Sequence, residues 1–427
     1  MIRLKYFLPF LLLIVLQSNH LFGQAARSPF SSFGYGDYVG ENLVNNQGMA
    51  GTGVSNPQLW YLNNQNPALL VFNRLTVFQA GLIGEDKRIT SLTDKGQSRN
   101  GNLNYLTIGF PALRSSDGTV RWATSLGLSP YSIVNFNYTY TQPLNGIEVS
   151  YLDKAQGGFN QLFWANGIRL TPGLSIGLKT SFLFSSIQGE FTNLVNDPNQ
   201  AIKYAVSLSE IQTVRGVKFT PGFSYRIDSI RNKYSFNLGA TTEMGKKLNS
   251  DFEQILLRKS INGTILQADT SVSSSTKVVL PWRYTIGASF GKSDKWTVAT
   301  DFTITSFGTS SVLITKDVTQ VQNGYRWSLG AELTPDVRSA SSYLKRVTYR
   351  IGGSTEQGSY LVNGNAVKDF GINFGLSFPV NRFSSIDVAF RSGKRGDKKL
   401  NGIEENYFKI YFGVTFNDQW FIKRKFD

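Results

Sequence analysis

Thiol and imidazole side chains are nearly missing from this sequence. Its 427 residues contain no cysteine and one histidine, His20. Thiolate nucleophiles, disulfides and Cys-ligated metals are therefore excluded. A Ser-His-Asp relay or a His-ligated metal would have to use His20, which lies in a segment expected to be cleaved off. Adjacent carboxylates occur at Glu404-Glu405. Glycoside hydrolysis needs two carboxyls facing each other across a bond. Loop neighbours do not face each other, so this pair is expected to be solvated. No metal site and no cofactor are expected, and the chain does not read as an enzyme.

What remains acts by hydrogen bonding, packing and backbone shape. Asn64, Asn66 and Pro67 form an Asx-type turn cluster that fixes loop geometry and could touch a ligand. Gly127, Ser129 and Pro130 interrupt a strand-like stretch. Proline cannot donate to a sheet ladder and glycine lets a strand bend, which is what an opening in a β-wall needs. Pro221 and Pro281 interrupt other strands in a similar way and would only mark a membrane edge. A mixed-sign set, Lys179, Asp301, Arg326, Glu332, Asp387 and Lys409, falls on the small, polar face of alternating segments. Mutual pairing in a closed interior is the expected use.

The elements that must position these residues are strands. In 174–184, Leu174, Ile176, Leu178, Phe182 and Phe184 share one face against Ser175, Gly177, Lys179 and Ser181. In 407–416, Phe408, Ile410, Phe412, Val414 and Phe416 oppose Tyr407, Lys409, Tyr411, Gly413 and Thr415. Such period-2 alternation predicts strands, and about fourteen of these segments can be counted, the third over 120–140. Connections alternate between short, as at 171–173 and 379–383, and long, as at 185–210, 245–276, 307–323 and 392–405. That sorting predicts an all-β, transmembrane, antiparallel up-and-down barrel with tight inner turns and large external loops. The last strand is expected to end at Phe416.

Residues 1–23 read as a signal peptide, with Arg3 and Lys5 before the apolar run Phe7–Leu16. Residues 24–73 are rich in Gly and Asn and show little alternation. They predict an irregular N-terminal hatch, docked through Leu59, Trp60, Leu62, Leu69, Leu70 and Phe72. The barrel then spans 74–416, and 417–427 form a periplasmic tail. The formal charge of +15 is scattered, so outer-membrane lipid rather than nucleic acid is the expected partner. Trp122, Trp296 and Trp420 fall near inner strand ends and fit an interfacial girdle.

Two patches are similar to a known family. Gly48-Met49-Ala50-Gly51-Thr52-Gly53-Val54 followed by Asn64-Gln65-Asn66-Pro67-Ala68-Leu69 resembles the opening of the FadL-type long-chain fatty-acid transporter superfamily. Gly157-Gly158-Phe159-Asn160-Gln161, leading into Ile168-Arg169-Leu170 and Leu174-Ser175-Ile176-Gly177, resembles a hairpin recurrent in it. The resemblance implies a fourteen-stranded barrel with a hatch, in the cell outer membrane. It also implies passive transport of a fatty-acid-like hydrophobic small molecule, with exit through a gap at a kinked third strand. The opening Arg27–Asp37 and the tail Asn417–Asp427 depart from that pattern. Both are similar to FadL-like barrels of type IX secretion, which implies secretion-system proteins as the alternative partners.

Overall fold

The computed structural model describes residues 27–418, apart from 146, 197–203, 232, 261–262, 308–319 and 382. The expected signal peptide and most of the tail, Trp420 included, lie outside the described residues.

Alternating faces give one continuous antiparallel sheet. Its strands are β1 (Asp37–Tyr38), β2 (Thr76–Ser91), β3 (Lys95–Arg114), β4 (Val120–Leu144), β5 (Ile147–Arg169) and β6 (Leu174–Asn196). Next come β7 (Tyr204–Ile230), β8 (Tyr234–Glu243), β9 (Lys246–Ser260), β10 (Ile265–Leu280), β11 (Trp282–Lys292) and β12 (Trp296–Ser306). The chain ends with β13 (Gly324–Leu333), β14 (Thr348–Val362), β15 (Asn365–Pro379), β16 (Ser385–Asp397) and β17 (Ile403–Asp418). β17 pairs with β2 and closes the sheet. β8 with β9, and β10 with β11, act as single staves broken at Met244-Gly245 and at Pro281. The wall is thus a closed barrel of 14 strands.

Apolar side chains that would be buried in a soluble protein point outward in a continuous belt. On β17 alone Phe408, Ile410, Phe412, Val414 and Phe416 are exposed, and Ile176, Leu178, Phe182 and Phe184 repeat this on β6. Their partners in the alternation, such as Lys179, Ser181, Tyr407 and Thr415, are buried on the inside. This inversion suits a closed wall whose solvent is lipid. Trp122 and Trp296 begin β4 and β12 at the end with the short turns, called here the inner end.

The expected large loops are mostly strand. Within 185–210 and 245–276, residues 185–194 pair with 205–214 and residues 246–259 with 265–280 as β6–β7 and β9–β10 ladders, and the 392–405 connection shrinks to a turn between Asp397 and Ile403. β17 likewise runs to Asp418 rather than Phe416. Their apolar residues turn partly inward, as Ile187 and Leu248 do, so no outward apolar face marks them, although backbone pairing still extends the sheet. A strand of 23 residues, such as β5, exceeds what a tilted crossing needs by roughly 40 Å. The barrel therefore rises well beyond the apolar belt at its outer end.

Residues 27–75 pack against the inner wall. A short helix, α1 (Val44–Gln47), lies on β15, β16 and β17, and a 3-10 helix over Pro67–Phe72 lies on β3 to β7. The segment reaches the wall through backbone. At Gly239, Gly330 and Gly352, an added Cβ would fall 2.0, 2.5 and 2.5 Å from backbone atoms of Val54 and Met49. Gly177 meets Pro67 and Ala68 in the same way at 2.5 Å. The small residues on the inner face are therefore seats for this segment.

Candidate functional site

Among the described residues, two cavities that share no lining residue lie against the N-terminal segment. The outer one, about 250 Å³, is bounded by residues 37–42, by Asn100–Asn104 of β3 and by Pro130 and Ile133 of β4. The inner one, about 190 Å³, lies under Asn56–Tyr61.

Charge in the outer cavity is largely compensated. Arg395 pairs with Asp37 at 2.7 Å, Arg391 with Asp369 at 2.8 Å, and Arg326 with Glu356 at 3.2 Å. Glu85 forms ion pairs with both Lys409 at 2.9 Å and Lys87 at 3.5 Å. Buried charges in a low-dielectric interior persist only when matched in this way. Tyr38, Ile83, Leu103, Ile133 and Val367 supply the apolar part of the lining.

On one side the cavity meets a split in the wall. The β3–β4 ladder runs from Arg114↔Val120 to Leu106↔Leu128 and stops. Beyond it β3 continues to Lys95 paired only with β2, while β4 continues to Leu144 paired with β5. Gly127 is still inside the ladder, and a Cβ there would strike the Phe163 ring, so it serves packing rather than bending. Ser129 and Pro130 are the first residues without a β3 partner, and the β4–β5 register shifts between Pro130 and Ser132. Opposite this shift, Gly157 and Gly158 adopt φ of +134° and +133°, a conformation that only glycine takes without strain. Ser129 accepts a hydrogen bond from Gln161 at 3.1 Å.

The β4 edge left free by β3 is covered from inside. β1 pairs with it, Asp37 opposite Ile133 and Tyr38 opposite Ser132. Val39 N–H donates to Tyr131 O at 3.1 Å, and Ser28 N–H to Asn135 O at 2.8 Å. This strap, Ser28–Val39, is held at both ends. Ser28 Oγ donates to Glu405 at 2.5 Å, and Tyr38 donates to Glu243 at 2.8 Å beneath the Arg283 guanidinium. Burial first, and the Glu243 carboxylate next, hold the Tyr38 phenol well above its ordinary pKa, so it stays a donor. Glu405 is thus buried against the strap, while Glu404 pairs with Lys394 at 2.8 Å outside. This corrects the expectation of a solvated Glu404-Glu405 loop pair: both lie in β17, whose alternation sends one carboxyl inward.

The other expected residues are placed as follows. Asn66 is fully buried, caps the 3-10 helix by accepting from Ala68 N–H at 3.0 Å, and donates to Val54 O and Phe223 O. Pro67 packs on the Gly222 seat, and Asn64 O accepts Lys179 at 2.8 Å. None of the three lines either cavity. Lys179 also pairs with buried Glu41, and Asp301 accepts from Gly53 and Val54 N–H at 2.7 and 3.1 Å. Glu332 accepts Arg350 at 3.0 Å. Asp387 is held by hydroxyls, among them Tyr61 at 3.0 Å and Thr415 at 3.0 Å. The inward charges therefore serve to dock the N-terminal segment as much as to neutralise one another. The strap was not foreseen, because two paired residues carry no periodic signal.

Among solved structures, the barrel is similar to the Pseudomonas putida toluene transporter TodX, at 17% identity and a TM-score of 0.61 over 91% of this chain and 100% of that one. The CymD monoaromatic hydrocarbon channel matches at 14% and 0.56 over 88% and 97%, and a Pseudomonas aeruginosa FadL homologue at 12% and 0.55 over 89% and 98%. At such identities the likeness establishes the fold. No curated protein sequence matches the chain. The closed barrel with the FadL-type layout is joined by a sequence-family match over residues 1–427, and the chain belongs to the BamG family.

Proposed function

We propose that this protein sits in the outer membrane and passively passes small hydrophobic molecules with a polar end, such as fatty acids or aromatics. Entry would be from the outer cavity and exit sideways through the β3–β4 split. The observation that carries this reading is the continuity of the cavity lining with the split at Asn100–Asn104 and Pro130. Barrels of this fold that include a toluene transporter and a monoaromatic hydrocarbon channel support it. Passage requires the strap to leave the β4 edge, so the N-terminal segment would be the gate. The chain's lack of cysteine makes the test clean. Asp37→Cys with Ile133→Cys joins two paired positions within disulfide reach. Uptake of a labelled aromatic into proteoliposomes should stop on oxidation and return on reduction. Equal uptake in both states would sink lateral gating.

One observation favours a second reading. The strap closes the split by backbone pairing, and the outer ladders offer tall walls. A barrel so sealed could serve as a fixed subunit of a protein-export machine, type IX secretion included. Copurification of a stoichiometric protein partner together with absent uptake would favour it.

A further inference from the structure

We propose that the inner rim of the barrel, from the approach to β2 through the end of β7, binds the phosphate of an inner-leaflet phospholipid headgroup through clustered arginines. This holds whether or not the barrel transports anything.

Five arginines converge there from separate elements: Arg74 before β2, Arg114 ending β3, Arg121 opening β4, Arg169 ending β5 and Arg226 near the end of β7. Arg169 and Arg226 bring their guanidinium groups to 4.8 and 5.2 Å from the centre of one ring, Phe72. Arg169 also lies in the fields of Arg121 and Arg74. Like charges gathered this closely repel unless an anion sits among them. The local acids offset this only in part, Asp228 acting on Arg169 and Asp117 on Arg121. Asp228 takes Arg226 at 2.7 Å and is more than half exposed, and Asp117 is engaged by Thr119 of its own turn at 2.9 and 3.0 Å. Among the described residues, Arg74, Arg114, Arg121 and Arg169 form no ion pair. Arg169 spends two nitrogens on the carbonyls of Val71 and Pro172, at 3.0 and 3.4 Å, while its buried Nε has no partner.

Position identifies the anion. Leu113, Trp122, Ile168 and Leu170, on the same strand ends, are exposed apolar side chains. Trp122 donates its indole N–H to Asn166 at 3.0 Å, as an interfacial tryptophan does with one wet and one apolar edge. Acyl chains therefore end at the level where these guanidiniums begin. Forked guanidinium donors match phosphate oxygens better than ammonium groups do.

The full-length protein in detergent is titrated with phosphatidylglycerol or phosphatidylcholine and bound lipid is counted by native mass spectrometry. The wild type should retain phosphatidylglycerol in preference to the choline lipid, whose cation opposes the cluster. Arg74→Gln/Arg121→Gln/Arg169→Gln should lower that occupancy about tenfold or more. The exposed single change Arg121→Gln leaves the strand register intact and should lower it by a smaller factor. Millimolar inorganic phosphate should not displace the lipid. Displacement by phosphate alone would make this a soluble-anion site, and equal retention by wild type and triple variant would overturn the proposal.

Discussion

Gly239→Ala should undock the N-terminal segment without opening the barrel. The new methyl would lie 2.0 Å from Val54 O and 2.7 Å from Val54 C, where ordinary contact begins near 3.4 Å. Both contacts are backbone, so no rotamer change relieves them, and residues 53–55 must retreat by roughly 1 Å. Overpacking of that kind costs about 1–3 kcal/mol. Since 1.4 kcal/mol is tenfold, the docking equilibrium should fall about 5- to 150-fold. Hydrogen exchange of amides 44–72 reads this directly, with the β12–β16 ladder amides as internal reference. Gly353→Ala is the control, because its methyl would meet only Gly371 O at 3.8 Å. Unchanged exchange in Gly239→Ala, or equal loosening in Gly353→Ala, would refute the idea that inward glycines are seats for this segment.

Asp301→Asn keeps one acceptor but loses the charge on two bonds to Gly53 and Val54 N–H. Docking should weaken by about 1–3 kcal/mol, seen as faster protease cleavage near residue 53. Lys179→Met leaves Glu41 buried and unpaired and should cost about 3–5 kcal/mol, with Glu41→Gln added on top recovering much of it in a double-mutant cycle. At the outer β16–β17 turn, the N–H groups of Leu400 and then Lys399 hold the Asp397 carboxyl below its ordinary pKa. A depressed carboxyl stabilises the turn above its unfolded value and stops doing so as pH falls through the folded one. Exchange at Lys399 and Leu400 should therefore accelerate only below about pH 4, and Asp397→Asn should remove that step.

The barrel was legible because lipid writes on every second residue: Phe408 to Phe416 and Leu174 to Phe184 could be assigned to strands and faces from type alone. In 185–196 and 246–260 the apolar residues turn partly inward, Ile187 and Leu248 among them, so no lipid-facing alternation is written and those ladders read as loops. The candidate residues were legible in part. Pro130 does stand where β3 and β4 part, since a residue without an N–H marks a broken ladder. The packing of Gly127 against Phe163 was not legible, because β5 brings that neighbour across. Asn66 could be recognised as a turn former, but the reach of its side chain to Phe223 depends on the closed wall. The strap and the buried Glu405 depend on contacts between residues more than 90 positions apart, which local pattern does not encode.

Native mass spectrometry of the protein gently extracted from its own outer membrane tests transport of small hydrophobic molecules most directly. A lipid-like or aromatic adduct in the outer cavity, lost on delipidation and absent after oxidation of the Asp37→Cys/Ile133→Cys pair, is the expected result. A bare chain held in a stable complex with another protein, with no such adduct in either state, would contradict it.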